Sequence, residues 1–401
     1  MAKTCLTALA ALLLFACPVF AGAPELVQKE FTEIGKLARD TQVRWYMWGG
    51  SARINQWVDD YVAGELKSRY GIRLVRVPMD ASVFVNRLLN EKAAGKKTGS
   101  IDLLWINGEN FKNCMEAGVL FGPFSDRLPN FRYVDPATVA HDFGYPVKNH
   151  EAPFGRAQFV FEYDTARTED PPKTFAALRK WIEDNPGRFT YPMPPDFTGS
   201  AFIRQVLYAT TGGHARYMDG WDGELFRNNA PRLWEYLSGI SEYLWQGGRT
   251  YPAHAGALDT LFARGEVDFG MSYHPPHAQS RILDGAYPDT VRTFAMEEGS
   301  LFNTHFTAIP LTAPNKAGAL VTANFLLSPE AQLSKFDPEN WGDFPAIDMT
   351  RLDESMRARF SAVDLGPATL APAELTPLAV PEIPSAYVEA LEEGWEENVL
   401  R

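Results

Sequence analysis

The chain has 401 residues, 45% of them hydrophobic and 22% charged, with a formal charge of −12 at pH 7. That apolar fraction supports a packed core and excludes a disordered or fibrous chain. The acid excess argues against nucleic acid as a partner, because such binders present a basic face. The length suits roughly two or three domains of about 100–200 residues.

The first element is a leader. Lys3 precedes an uncharged run from Thr4 to Ala21 containing Leu9, Leu12, Leu13, Leu14 and Phe15, and the run closes at Val19-Phe20-Ala21. A positive start, an apolar middle and a small residue at the end predict a cleaved secretory signal over 1–21, and hence a periplasmic protein. The apolar stretch is shorter than the roughly 20 residues a membrane span needs. Leu14-Phe15-Ala16-Cys17 resembles a lipid-attachment box, but Phe15 and Pro18 fit it poorly, so a form anchored at Cys17 is the second reading. The mature chain then keeps Cys114 alone of three cysteines, predicted to pack as a small buried hydrophobe.

Strand and helix patterns alternate next. Val43 to Trp48 is a short apolar run ending at Gly49-Gly50, and Ile54, Trp57, Val58, Tyr61, Val62 and Leu66 follow at helical spacing with Ser51 as N-cap. Ile72 to Val77 predicts a second strand, Phe84 to Leu89 a helix, and Ile101 to Ile106 a third strand ending at Asn107-Gly108. Alternation of this kind implies a doubly wound parallel sheet, with ligands bound beyond the carboxyl ends of its strands. Farther on, Gln158 to Tyr163 and Val267 to Tyr273 are strand candidates. Helices are predicted through Phe175 to Ile182, after Asp196-Phe197-Thr198-Gly199-Ser200, and through Leu233 to Leu244. Asp364 to Pro384 is Pro-rich and predicts an extended strap, closed by a helix from Ser385 to Val399.

Three segments carry a resemblance. Phe306-Thr307-Ala308-Ile309-Pro310 leads to Ala313-Pro314-Asn315-Lys316, then Ala319 to Leu327 and Ser328-Pro329-Glu330-Ala331-Gln332. Leu258 to Phe262 precedes Gly265-Glu266-Val267-Asp268-Phe269-Gly270-Met271, and Trp45-Tyr46-Met47-Trp48-Gly49-Gly50 opens the first strand. With these the chain resembles the extracellular solute-binding proteins of bacterial ABC importers, of the two-lobed type with a crossing-over chain, in a subgroup whose cargo is poorly defined. The resemblance implies an α/β fold of two doubly wound sheets joined by a hinge, with the ligand cleft between them. It implies lobe 1 over 24–157 and 304–335, lobe 2 over 158–303, and C-terminal helices and strap over 336–401 packing on lobe 2. Crossings are expected near Phe154–Tyr163 and Phe302–Ile309. The implied partner is an inner-membrane ABC permease and the implied activity is binding, with no catalysis and no cofactor, by a monomer that closes around a small polar solute.

In such a cleft, strand-to-helix turns supply the lining. The candidates are Trp48, Gly49, Gly50, Ser51, Asn107, Glu109 and Asn110 from one lobe, and Asp196, Thr198, Gly199, Ser200, Tyr273, His274 and Glu298 from the other. Helix starts favour anions. Aromatic walls from Trp48, Phe197, Tyr273 and Phe302, with Glu109, Asp196, Glu297 and Glu298, favour an organic cation such as a polyamine or thiamine-like compound over an oxyanion. Arg53 and Arg156 lie near these turns. No Gly-x-Ser-x-Gly elbow, phosphate loop or His-Glu-x-x-His occurs. His274-Pro275-Pro276-His277, joined by His254 and His305, offers a possible metal cluster, so a secreted metal- or siderophore-binding protein and a secreted hydrolase are the alternatives. Glu392-Glu393 and Glu396-Glu397 read as a solvated helix face.

Overall fold

A computed structural model describes residues 25–400; the expected leader and Cys17 lie outside them. β1 (Gln42–Met47), β2 (Arg73–Pro78) and β3 (Leu103–Ile106) form within a few residues of the predicted runs and pair in parallel. The helix after β1 starts at Ala52, is widened by a π turn over Trp57–Val62, and ends at Tyr70. The helix Ala81–Ala93 returns the chain from β2 to β3. Parallel neighbours need such crossovers. A small hairpin, β4 (His141–Asp142) and β5 (Tyr145–Pro146), projects from this part.

β6 (Glu151–Gln158) and β7 (Val160–Asp164) are separated by Phe159 alone, yet belong to different sheets. The first sheet has the order β11-β10-β3-β1-β2, with β6 also on β10, where β10 is Ser300–Ala308 and β11 is Ala379–Pro381. It is mixed, since β10 runs antiparallel to both β3 and β6. The second sheet has the order β8-β7-β9, where β8 is Phe269–Ser272 and β9 is Val291–Phe294, and β7 is antiparallel to both neighbours. The expected doubly wound pattern therefore holds there only in part. β8, the helix His277–Leu283 and β9 make a parallel strand–helix–strand unit, but β7, arriving directly from the first sheet, inserts between its strands.

Two apolar cores form. The first gathers Val43, Trp45, Leu103, Phe154, Phe306 and Leu320; the second gathers Phe161, Phe202, Leu237, Phe269 and Trp395. Fully burying a side chain of this size contributes about 1.5–3 kcal/mol. Leu301 belongs to the second core and Phe306 to the first, so β10 passes from one to the other beside Phe159, whose N–H donates to the Leu301 carbonyl at 2.8 Å. The segment after 335, expected on the second lobe as a unit, is divided. Trp341, Phe344, Leu352, Phe360 and Leu375 join the first core, while Ile383, Tyr387, Leu391 and Trp395 join the second. The strap is shorter than expected, because Pro372–Leu375 and Thr376–Leu378 form helical turns before β11. Cys114 is buried, as predicted, and burial pushes its thiol pKa up to about 12. Among the described residues no helix is long and apolar enough to cross a membrane.

Candidate functional site

The carboxyl ends of β1 and β3 open toward elements of the second core. Trp48 is 49% exposed, and its indole lies so close over Gly50 that a Cβ there would enter the ring. Ser51 Oγ accepts from the Ile54 N–H at 3.4 Å and caps the helix. Arg53 then reaches across. Its Nη2 donates to Asp284 at 2.6 Å and its Nη1 to the Glu339 carbonyl at 3.0 Å. Asp284 ends the helix His277–Leu283, which packs in the second core through Ala278.

Beyond β3, Asn107 precedes the helix Gly108–Glu116, and the Gly108 N–H donates to Asp142 Oδ2 at 2.6 Å. Glu109 is exposed and accepts from Asn113 at 3.1 Å; Asn110 is half-buried. The hairpin that holds Asp142 also carries Phe143, whose ring stands 6.4 Å from that of Phe197. Phe197 begins the helix Phe197–Thr211 and lies 5.1 Å from the Tyr273 ring. One aromatic from each side thus meets across the gap.

Beneath them lies Arg204, 1% exposed, with its guanidinium 5.8 Å from the Phe197 ring and 6.0 Å from the Phe143 ring. A buried cation needs partners, and each arm has one. Nε is 2.9 Å from Glu382 Oε2, Nη2 donates to Glu382 Oε1 at 3.1 Å, and Nη1 donates to Ser200 Oγ at 2.6 Å. Ser200 Oγ donates onward to Glu392 at 2.6 Å, and the Tyr273 hydroxyl donates to Glu382. Burial, then the Glu382 charge, holds the Asp142 pKa well above the ordinary carboxylate value. Burial also raises Glu392, which Glu109 raises further against the opposing pull of Ser200 and Arg204. Glu151, buried near Asp142, is raised in the same way, and neither of its oxygens accepts a hydrogen bond. Glu382 and Ser200 thus engage every arm of Arg204, Glu392 joins through Ser200, Glu109 acts on Glu392, and Asp142, which burial keeps protonated, lies within range of Glu382. A guanidinium with all its arms taken has little left to offer an anion.

Several sequence candidates have structural duties instead. Asp196 Oδ1 accepts from the Thr198 and Gly199 N–H groups at 3.0 Å each, and its Oδ2 accepts from Ala255 N–H at 3.2 Å, so it ties two helix starts together. Thr198 is buried, and Gly199 is packed against the Pro192 carbonyl, leaving no room for a ligand there. Glu298 accepts from the Phe175 N–H at 2.9 Å and closes the start of the helix Phe175–Asp184. His274 Nε2 lies 3.2 Å from the Trp341 carbonyl, and burial lowers its pKa to about 4, so the ring is neutral. The four candidate histidines do not converge. His254 caps the helix Ala255–Ala263, His305 pairs with Asp343 at 3.2 Å, and His277 faces Glu162 and Asp259. Phe302 is half-buried in β10, and Glu297 is exposed next to Glu298.

Sequence reasoning missed Asp142, Phe143, Arg204 and Glu382, and read Glu392 as solvated. One signal was present: Arg204 interrupts the apolar run Phe202, Ile203, Val206, Leu207, and a charge in such a run requires a buried counter-charge.

Residues 61–357 match the family described as bacterial extracellular solute-binding protein. The chain belongs to that family. It is 40% identical over 370 residues to Protein YnjB of Escherichia coli strain K12, covering 91% of this chain and 93% of that one. Its two-lobed periplasmic-binding-protein fold is shared with a spermidine/putrescine ABC transporter substrate-binding protein, PotD, from Streptococcus pneumoniae, at a TM-score of 0.64 and 13% identity over 90% of this chain and 99% of that chain. A periplasmic thiamin binding protein superposes with a TM-score of 0.59 at 17% identity over 90% and 96% of the two chains. An ABC transporter structure from Clostridium perfringens gives 0.62 at 17% identity over 89% and 98%. Family and fold are those of binding proteins.

Proposed function

We propose that the protein captures a small organic cation in the periplasm and delivers it, as a monomer, to an inner-membrane ABC permease. The observation that carries this reading is the pair of rings Phe143 and Phe197, one from each side, set over an Arg204 whose arms are all taken by Glu382 and Ser200 and near the exposed Glu109. The rings offer π faces to a cation and Glu109 offers an exposed carboxylate. Two structural neighbours are named for spermidine/putrescine and for thiamin, both cationic, which supports the choice of class. In this reading the lobes are 24–157 with 304–335, and 158–303, with the C-terminal segment shared between them. Capture is hinge closure about the Phe159–Leu301 crossing, and the ligand shifts an open–closed equilibrium by its preference for the closed form. Trp48, Gly49, Gly50, Ser51, Asn107, Glu109 and Asn110 line one side; Ser200 and Tyr273 line the other through their contacts with Arg204 and Glu382.

The test is a thermal-shift screen of the purified mature protein with polyamines, thiamine and its analogues, sugar phosphates and dicarboxylates, alongside native mass spectrometry of whatever co-purifies. Stabilisation by cations only is expected. Stabilisation by phosphates or carboxylates only would overturn the choice of cargo class.

A further inference from the structure

A second cluster lies away from the cleft. On β7 the Phe161 ring is 6.3 Å from Phe202 of the helix Phe197–Thr211, so Glu162, one residue on, points from the opposite face of the second sheet. There the His277 ring is held between two carboxylates. Its Nδ1 is 2.7 Å from Glu162 Oε1 and its Nε2 is 3.2 Å from Asp259 Oδ2. The Tyr287 ring is 6.1 Å from the imidazole, and its hydroxyl feels the charge of both carboxylates. Asp259 Oδ1 is buried and meets no partner at hydrogen-bonding geometry, while the Tyr287 hydroxyl pairs with Glu162. The Glu162 side chain is fully buried, whereas those of His277 and Asp259 are 23% and 13% exposed, which leaves an approach from solvent.

We propose that Glu162, Asp259 and His277, with Tyr287 beside them, bind a divalent transition-metal ion on this outer face. One ligand atom from each of the three lies within 4.8 Å of the others, a spacing that bonds of roughly 2.0–2.2 Å to a shared ion can draw together. Imidazole nitrogen with carboxylate and phenol oxygen suits zinc or manganese rather than calcium, which takes oxygen ligands throughout. Arg281 packs 5.7 Å from the Tyr287 ring centroid, and an ion bound here would take over from the His277 proton the work of holding the two carboxylates together. The oxygens of Glu162 and Asp259 carry the lone pairs the ion needs, and the proton on the ligating imidazole nitrogen leaves to solvent. The elements meet here because the helix Ala255–Ala263 and the helix His277–Leu283 flank β8 in the chain, and β7 is its neighbour in the sheet.

The test uses the mature protein stripped with EDTA and titrated with Zn²⁺ and with Mn²⁺ by calorimetry, with melting temperature followed in parallel. One ion per chain is expected, bound at least tenfold more weakly by Asp259→Asn and by His277→Gln, and unchanged by His141→Gln in the distant hairpin. Asp259→Asn is isosteric and partly exposed, so it decides the matter even where His277→Gln fails to fold. Less than one ion per chain, or equal affinity in Asp259→Asn, would overturn the proposal.

Discussion

Arg204 and Glu382 are 178 positions apart in the chain and meet at 2.9 Å, with their side chains 1% and 2% exposed. The pair fastens the helix Phe197–Thr211 to the strap that follows β11. Its burial makes each charge depend on the other, and removing one partner of such a pair costs about 3–5 kcal/mol. Arg204→Met should lower the unfolding free energy measured in urea by that order, and Arg204→Met combined with Glu382→Leu should recover most of it. A double variant as unstable as the sum of the two single ones would show the charges to be independent.

Asp142 should make the fold less stable as pH rises. Its native pKa is raised by burial and by Glu382, so the unfolded chain loses this proton near pH 4 while the folded one keeps it. Between those two values the native state binds more protons, and stability falls with pH by about 1.4 kcal/mol per unit for this group. Asp142→Asn keeps an oxygen to accept from Gly108 and removes the titration. Its urea midpoint relative to wild type should match at pH 4 and exceed it at pH 8, with a residual slope left by Glu151. Parallel curves for the two proteins would refute the assignment.

Arg53 and Asp284 form a contact that requires the two sides of the cleft to be close. The side chains are 25% and 44% exposed, so solvent screening limits the pair to about 0.2–1 kcal/mol. Arg53→Ala should weaken cargo binding by up to about fivefold and enlarge the ligand-bound radius of gyration in small-angle scattering. The apo melting temperature should hardly move. A large apo destabilisation with unchanged affinity would make Arg53 a structural residue.

Trp48 has two readings, core filler and ligand cover, and its 49% exposure favours the second. Trp48→Ala should therefore leave the apo melting temperature nearly unchanged and cost roughly 0.5–2 kcal/mol of cargo affinity by calorimetry. A core tryptophan would instead cost about 3–5 kcal/mol of stability, and that outcome would remove Trp48 from the cleft.

Much of the first sheet was legible, because β1, β2 and β3 are short apolar runs separated by helical periodicity and their turns end in glycine or asparagine. Local signals of this kind survive without tertiary context. The cap residue Ser51 was found for the same reason, whereas Asp196, read as a cleft residue, is a cap that spends its oxygens on backbone N–H groups. What could not be read was the pairing of distant positions. Nothing near Arg204 announces Glu382, and nothing near Ser200 announces Glu392, which the charge pattern of the last helix disguises as surface. The antiparallel insertion of β7 was hidden likewise, since strand direction follows from the crossing at Phe159 and not from the composition of the strand.

The hydrogen bond from Trp395 to Tyr191, 3.0 Å long, has a bearing on the order in which the molecule can be made. Trp395, Leu391 and Tyr387 complete the second core from the last helix of the chain. A polypeptide emerging amino end first, from a ribosome or through a membrane pore, presents Tyr191 and Phe202 long before their partners exist. One half of the protein has its apolar side chains waiting in water until synthesis and threading are finished, a window in which a holding chaperone has a surface to grip.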